Sequence, residues 1–346
     1  MIPPSNLAGL GKQFALSLLS QSGAFRVGEM LSSRNLRVLT YHRVIPRDRW
    51  KVAQRPPNTL FADEFEEQMA FVSRSFNVLA GEELRAVINE RKSVPQYSLA
   101  ITFDDGYENN FLHALPILQK HGLHAVFFVT TNLIGNADRS LWFDRLDRLL
   151  SIVSPVELFE WLRQYESPRA DSSIPQVRAY FKMLSNARQS EILDRLEQQF
   201  VHARAPGADK TVYGLMNWDQ VRRMVSAGMT IGSHTANHQI LAAVSAAEVR
   251  AELLTSRQRI QEETGRECWC FAYPNGGRSD FRQSDELAVQ SAGYRCAFTQ
   301  IAGSINRNAP RFALPRIPIP DTGDVRVLRS HLSGIQRAYR TIFPEK

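Results

Sequence analysis

The stretch YSLAITFDDGYENN, residues 97–110, places two adjacent carboxylates directly after a buried strand. The apolar, β-favouring run YSLAI leads into Asp104 and Asp105, and Gly106 then allows the chain to turn. Two neighbouring anions at the edge of a core repel each other, and each costs several kcal/mol when it is desolvated without a partner. The structural alternative is a loop in which one Asp caps the next helix. The pattern therefore predicts either an ordinary strand-to-helix loop or a cation site.

Apolar segments typical of strands alternate with amphipathic segments typical of helices along most of the chain. The strand candidates are RVLTYH (37–42), SLAITF (98–103), HAVFFVT (124–130), MTIGSH (229–234), CWCFAY (268–273) and RCAFT (295–299). Continuously apolar strands separated by helices indicate a parallel sheet that is covered by helices. This alternation suits a barrel or an open doubly wound sheet, and periodicity alone does not distinguish them.

Residues 132–215 interrupt this alternation, because they contain helical patterns and no convincing strand. We interpret them as a helical insertion that lies over one face of the sheet. The domain organisation expected from these patterns is a helical leader at 1–34, an α/β domain formed by 35–131 and 216–346, and the insertion at 132–215.

The N-terminal segment does not have the features of a signal peptide, because it lacks a basic start and a clear cleavage site. No stretch approaches the roughly 18 apolar residues that a membrane span requires. Residues 7–31 predict an amphipathic helix with apolar positions that include Leu10, Phe14, Leu18 and Phe25. We expect this helix to pack on the domain, with peripheral membrane contact as the alternative. The expected location is the cytoplasm or the inner face of the membrane.

The composition is that of a soluble globular protein. The 346 residues are 43% hydrophobic and 22% charged, which excludes disorder across the whole chain. The net charge of +7 could attract nucleic acid, but the basic residues are dispersed and no recognised nucleic-acid module is present, so we expect no such partner. Three cysteines do not make a disulfide framework, and the pair Cys268 and Cys270 is expected to be buried and reduced.

A second unusual stretch, IGSHTANHQ at residues 231–239, also follows an apolar strand. His234 and His238 are four residues apart, so both can face one cation, although such a pair alone is equally compatible with a structural role. Loops at the carboxyl ends of parallel strands converge on one site. Two imidazoles and a carboxylate suit Zn²⁺ or another divalent transition metal. The neighbouring Asp would then be available to take a proton from water.

TFDDG followed far downstream by H-T-x-x-H resembles the polysaccharide deacetylase (NodB-homology) family, carbohydrate esterase family four. The matching stretches run from about Leu36 to Ile319. The resemblance implies a distorted (β/α) barrel of about seven parallel strands. It also implies that Asp104 is the catalytic base and that the metal is held by Asp105, His234 and His238. Zn²⁺ is the expected ion, with Co²⁺, Ni²⁺ and Fe²⁺ as alternatives.

FAYPNGG, residues 271–277, resembles the third motif of the same family. By that resemblance, the backbone N–H of Tyr273 would help to hold an oxyanion beside Pro274. Many members carry an Arg two residues before this proline, where this sequence has Ala272. Arg316 in LPRIPI is the candidate that would orient the base in its place, and a surface arginine at a strand end is the alternative.

The general acid is also expected at a different place from the common family pattern, which has a His near the C-terminus after an apolar strand. The late candidate, His331 in VLRSHLSG, lies in a helical pattern. His42 instead follows the early strand VLTY. This arrangement resembles a subgroup of exopolysaccharide deacetylases, such as those acting on poly-β-1,6-N-acetylglucosamine, in which an early His is the acid. We therefore predict His42 as the general acid.

The resemblance implies a metal-dependent hydrolase that removes N-acetyl groups from an amino-sugar polysaccharide, oligosaccharide or lipid-linked sugar, releasing acetate and a free amine. Trp142 and Trp218 are candidate surfaces for stacking against sugar rings. One alternative is hydrolysis of a different small amide, including deformylation. The other is a non-catalytic carbohydrate-binding protein that retains the fold.

Overall fold

The computed structural model describes residues 18–19, 21–49, 56–90, 92–136, 140–165, 173–200, 210–319 and 321–335. The strands within these ranges are β1 (Arg37–Tyr41), β2 (Arg43–Ile45), β3 (Thr59–Phe61), β4 (Asn77–Val78), β5 (Ser98–Phe103), β6 (Val126–Val129), β7 (Thr230–Ser233), β8 (Cys270–Ala272), β9 (Cys296–Ala302) and β10 (Leu314–Pro318).

Helices follow most of the strands. They are α1 (Ala24–Leu31), α2 (Ala62–Ser75), α3 (Gly81–Asn89), α4 (Leu115–Lys120), α5 (Trp142–Leu150), α6 (Pro155–Tyr165), α7 (Ile174–Lys182), α8 (Asn186–Gln199), α9 (Lys210–Tyr213), α10 (Trp218–Ser226), α11 (Ala246–Thr264), α12 (Gln283–Ser291) and α13 (Val325–Leu332). The longest, α11, begins at a capping box formed by Ser245 and Glu248 and ends at Gly265 in the left-handed conformation, as its sequence predicts.

Seven parallel strands form a closed barrel. The order around it is β1-β10-β9-β8-β7-β6-β5, and β5 pairs with β1 to complete the circle. The short β4 pairs with β5 outside this circle, and β2 and β3 form a separate parallel pair. The predicted (β/α) barrel of about seven parallel strands is therefore confirmed, and the open-sheet alternative is wrong.

Successive side chains on each strand alternate between the barrel interior and the layer beneath the helices. The interior cluster includes Val38, Ala100, Phe128, Cys270 and Phe298. The outer layer includes their neighbours Leu39, Ile101, Phe127, Phe271 and Ala297. Cys268 and Cys270 are buried and free, as predicted, and so is Cys296. This two-residue period determines which residues face the barrel axis where each strand ends.

The described residues of the predicted insertion form helices and no strand. Helices α5 to α8 enclose their own apolar cluster, which includes Leu146, Leu158, Phe181 and Leu196. The insertion therefore has a core of its own, while α5 and α7 also contribute side chains to the pocket at the carboxyl end of the barrel.

Only part of the predicted N-terminal amphipathic helix lies within the described residues. In α1, Phe25 is buried and Arg329 from α13 lies over its ring, at 5.6 Å from the centroid. The α1 residues Val27, Met30 and Leu31 are exposed, and so is Leu18, whereas the predicted positions Leu10 and Phe14 lie outside the described residues. None of the described helices is both long and apolar enough to cross a bilayer.

A buried ion pair connects the insertion to the barrel. Asp144 in α5 accepts a hydrogen bond from Arg43 in β2, and both side chains are at most 2% exposed. Tyr107, which follows the two aspartates of the first motif, donates its hydroxyl to Asp144 at 2.9 Å. The guanidinium of Arg43 also lies over the Tyr107 ring, 4.3 Å from its centroid. A buried charge without a partner is costly, so the burial of Arg43 depends on Asp144 and the burial of Asp144 depends on Arg43.

Replacement of Asp144 by Ala is expected to lower the free energy of unfolding by about 3–5 kcal/mol, because the charge of Arg43 would stay buried without its partner. Urea unfolding followed by circular dichroism measures this loss.

The matched control is Asp194→Ala, which removes another aspartate from an arginine of the same insertion. Asp194 pairs with Arg145 at 2.6 Å, but its side chain is 58% exposed, so the expected loss is at most about 1 kcal/mol. If Asp144→Ala and Asp194→Ala lower the free energy of unfolding equally, the buried pair of Arg43 and Asp144 is not the main connection between the insertion and the barrel.

Candidate active site

The two-residue period of the barrel strands places four polar side chains at the carboxyl end of the barrel, on its interior side. In the β1–β5 pairing Tyr41 lies opposite Phe103, so His42 and Asp104 follow as neighbours. The N–H of Asp104 continues the ladder by donating to the carbonyl of Tyr41 at 3.1 Å. His234 follows β7 in the same way, and Arg316 lies on β10. Residues more than 270 positions apart thus meet in one place.

Asp105, His234 and His238 form a buried cluster. The Nε2 atoms of both histidines lie 3.4 Å from Oδ1 of Asp105. One potential ligand atom from each of the three residues lies within 4.8 Å of the other two. This is the triad that the two sequence motifs predicted, and its spacing is compatible with one shared cation.

Backbone conformation directs these side chains inward. Asp105, Thr235 and His238 have φ values of 76°, 66° and 57°, in the left-handed region that residues with a Cβ rarely adopt. Such conformations cluster where a site requires them. Ring Nδ1 of His234 lies 2.8 Å from the carbonyl oxygen of Ala272, which can only accept, so Nδ1 carries the hydrogen and Nε2, on the side of Asp105, is the nitrogen that a neutral imidazole would offer to a cation.

Two further features of this triad fit a metal ion. Oδ2 of Asp105 is buried and has no hydrogen-bond partner among the described residues. Burial alone would raise the pKa of Asp105, but the neighbouring imidazoles His234 and His238 hold that pKa well below its usual range. An ionised carboxylate and two imidazoles are the donors that Zn²⁺ and similar divalent ions prefer.

Asp104 is held by a different partner, the guanidinium of Arg316. The two bonds are parallel, at 2.8 Å to Oδ1 and 2.7 Å to Oδ2 of Asp104. Arg316 is fully buried and also donates to the Thr299 carbonyl at 2.9 Å and to the Thr102 hydroxyl at 3.1 Å. The surface alternative for Arg316 is therefore wrong. Burial would raise the pKa of Asp104, but Arg316 and His234 outweigh it and lower that pKa.

Gln300 is a contact of Asp104 that sequence reasoning missed. Its Nε2 donates to Oδ2 of Asp104 at 3.0 Å. The side chain comes from β9, which lies next to the strand of Arg316 in the barrel. The sequence signal is weak, because TQIAG contains no motif and only the sheet order brings it to Asp104.

His42 and His331 lie in different parts of the molecule. His42 is half-buried and lines the pocket that also contains Asp104, Asp105 and His234. Burial lowers the pKa of His42, while the carboxylates of Asp105 and Asp104 oppose this effect. His331 lies on α13 and does not line this pocket. The structure therefore brings the early histidine, and not the late one, to the pocket that contains Asp105, His234 and His238.

The active-site pocket has a volume of about 360 Å³ and receives side chains from the insertion as well as the barrel. Trp142 and Phe143 contribute aromatic surface, and the Phe143 ring lies 5.2 Å from the ring of His238. Arg178 and Lys182 add cations, but both are paired, with Asp147 at 2.5 Å and Asp280 at 2.9 Å. The other wall residues include Asn58, Asn275, Gln300 and Pro318.

Tyr273 does not occupy the position predicted for an oxyanion donor. Its N–H donates to the Phe298 carbonyl at 3.0 Å, because the β8–β9 ladder continues one residue beyond Ala272. Its side chain lies in the outer layer, where the hydroxyl donates to the Phe312 carbonyl at 2.9 Å. Pro274 is buried and does not line the pocket, so its predicted substrate contact is also unsupported.

Asn275 is the residue of the third motif that does reach the pocket. It lines the pocket wall with a φ of 58°, and its N–H has no hydrogen-bond partner among the described residues. The run YPNGG could have indicated a turn at Asn275 from the sequence, since Asn and Gly readily adopt left-handed conformations at a turn.

The two tryptophans predicted to contact sugar have different positions. Trp142 lines the pocket and packs face to face with Phe181, at 6.1 Å between ring centroids. Trp218 is the first residue of α10, where it packs against the outer core with Arg259 over its ring. Trp218 is absent from the pocket wall, so the structure does not support its predicted substrate contact.

Comparison with solved structures supports the fold. The chain resembles the Streptococcus pyogenes deacetylase PplD, with a TM-score of 0.58, 16% identity and coverage of 86% of this chain and 98% of that one. It also resembles IcaB from Ammonifex degensii, with a TM-score of 0.55, 18% identity and coverage of 87% and 97%. At these identities the likeness establishes the barrel architecture alone.

Sequence comparison extends the likeness to a family. The chain is 27% identical over 148 residues to the poly-beta-1,6-N-acetyl-D-glucosamine N-deacetylase of Staphylococcus epidermidis, which covers 41% of this chain and half of that protein. Residues 91–167 and 170–297 match the family described as Polysaccharide deacetylase. Since this match spans more than half of the sequence and includes the aspartate pair, the histidine pair and the third motif, the chain belongs to the polysaccharide deacetylase family.

Proposed function

We propose that this protein is a metal-dependent hydrolase that removes N-acetyl groups from an amino-sugar polymer, oligosaccharide or lipid-linked sugar, releasing acetate and a free amine. The observation that carries the proposal is the placement of two buried aspartates in one pocket with different partners. Asp104 is held by Arg316, and Asp105 by His234 and His238. The name of the Staphylococcus epidermidis relative supports an N-acetylated amino sugar as the substrate.

Asp105, His234 and His238 would hold one divalent cation, with Zn²⁺ as the first candidate and Co²⁺, Ni²⁺ or Fe²⁺ as alternatives. When bound, such a cation supplies Lewis-acid chemistry, which polarises the acetamide carbonyl and makes water more acidic. The hydrogen bond from His234 to the Ala272 carbonyl orients the imidazole for this role.

Asp104 acts as the general base, taking the proton from the water that attacks the acetamide carbon. The paired hydrogen bonds from Arg316 keep this carboxylate ionised and prevent its rotation. Gln300 adds a third donor to the same carboxylate. Because these contacts keep the carboxylate of Asp104 ionised, it is able to accept a proton from the attacking water.

The N–H of Asn275 is the backbone donor available to the oxyanion that forms on the acetamide oxygen. Asn275 lines the pocket, and its N–H has no hydrogen-bond partner among the described residues, whereas the N–H of Tyr273 is bonded to the Phe298 carbonyl. A fixed N–H aimed at developing charge stabilises a transition state without reorganisation.

His42 donates a proton to the departing sugar nitrogen as the C–N bond breaks, because an amide anion is too poor a leaving group. Its location on the pocket wall near Asp104 and Asp105 supports this role. The reaction balances when water supplies the hydroxyl of acetic acid and the nitrogen leaves as the free amine.

Acetate release from N-acetylglucosamine oligomers is expected to require both a divalent metal and His234. Metal-stripped protein should be inactive and recover on addition of Zn²⁺, while His234→Ala should lose bound metal as well as activity, because one of three ligands is missing. Metal content by mass spectrometry and enzymatic acetate detection measure both effects. Wild-type turnover by the metal-free protein would refute the proposed mechanism.

Asp104→Asn is expected to lower kcat by about 10²–10⁴-fold, since an amide cannot accept the proton from water. Metal content should remain near that of the wild type, because Asp104 is not a proposed ligand. Turnover that stays unchanged would eliminate Asp104 as the base.

His42→Ala is expected to lower kcat by about 10²-fold or more, because the leaving nitrogen loses its proton donor. His331→Ala is the matched control and should leave acetate release unchanged, since His331 does not line the pocket. The opposite result would reassign the general acid to the C-terminal helix.

A further inference from the structure

A second cavity, which we call the lateral cavity, lies between the insertion and the loop that carries His238. Its volume is about 560 Å³, within the range of about 300–1,000 Å³ typical of small-molecule sites. Trp142 and His238 line both the lateral cavity and the active-site pocket. The two spaces are therefore adjacent, with these two side chains shared between their walls.

The wall of the lateral cavity combines apolar, charged and uncharged polar side chains, and its uncharged amides and hydroxyls are Ser140, Asn186, Gln189, Ser190, Asn237 and Gln239. Its charged groups mostly have partners. Arg145 pairs with Asp194 at 2.6 Å and with Glu197 at 2.9 Å. Glu252 accepts the N–H of Asn237 at 2.9 Å and its side-chain amide at 2.6 Å. This chemistry favours a neutral, polar ligand over an ionic one.

Four buried atoms of the wall residues lack hydrogen-bond partners among the described residues. They are Nε1 of Trp142, Oδ1 of Asn186, Oε1 of Gln189 and Nδ1 of His238. An unsatisfied buried polar group costs about 1–3 kcal/mol, so a concentration of such groups beside one cavity requires an explanation. The set contains an N–H donor and two amide acceptors, which complement hydroxyl and acetamide groups. The indole of Trp142 adds an apolar face of the kind that sugar rings pack against.

We propose that the lateral cavity binds a second sugar unit of the substrate, next to the unit whose acetamide enters the active-site pocket. This inference rests on the proposed function. Because Trp142 and His238 border both spaces, an oligosaccharide that extends past these two side chains would contact both. The preferred substrate is consequently a chain of at least two units, and its selection depends on side chains of the insertion.

The test uses Ala187→Trp, which places an indole in the lateral cavity from an exposed position of α8. With a β-1,6-linked N-acetylglucosamine pentamer, KM should rise about tenfold while kcat changes little, because binding away from the reacting group is lost. Ser190→Trp fills the cavity from a second exposed wall position. Gln198→Trp, exposed on the same helix but outside the wall, is the matched control and should behave as the wild type.

Calorimetric binding of the pentamer to protein carrying Asp104→Asn gives a readout that does not depend on turnover. Addition of Ala187→Trp should weaken this binding about tenfold, which corresponds to loss of one or two good contacts. Unchanged KM and affinity in both filling variants, or no binding of the pentamer at all, would overturn the lateral cavity as a subsite. Binding that Ala187→Trp weakens, together with no acetate release by the wild type, would instead refute the proposed hydrolysis and support the subsite.

Discussion

Closure of the barrel by the pairing of β1 with β5 is the constraint on which the site depends. Five consecutive residue pairs, from Arg37 with Leu99 to Tyr41 with Phe103, fix the register of these strands. Because side chains alternate with a period of two, a slip of one residue would turn His42 or Asp104 out of the interior. The same register, carried around the circle, brings His234 beside Ala272 and lets Arg316 reach across β1 to Asp104.

The two aspartates of the first motif solve the problem of adjacent buried anions in two different ways. Asp104 is compensated within the chain, by a guanidinium that approaches in a fixed, two-bond geometry. Asp105 has the imidazoles of His234 and His238 beside it and keeps one buried oxygen without a partner among the described residues. The guanidinium thus fixes one carboxylate, and the other fits a cation. The difference between Asp104 and Asp105 follows from the neighbour that each side chain faces.

Much of the fold and part of the site could be predicted from local patterns. Apolar strands alternating with helices indicated a parallel sheet covered by helices, the family resemblance implied that it closes into a barrel, and the two short motifs located Asp104, Asp105, His234 and His238. The assignments that failed depend on long-range pairing. The N–H of Tyr273 is bonded within the β8–β9 ladder, the residue of that motif that lines the pocket is Asn275, and Gln300 reaches Asp104 only through the strand order. Trp218 packs on the outer core because its helix lies outside the barrel.

The amino-acid sequence by itself determined the class of fold, the family and the residues able to hold a metal, because periodicity and short motifs are local properties of the chain. Only the tertiary structure decided that Arg316 is the partner of Asp104, that Arg43 and Asp144 connect the insertion to the barrel, and that a second cavity adjoins the pocket. These features join residues about 100 to more than 200 positions apart. Their contacts arise from strand register and from the docking of the insertion, which no local pattern encodes.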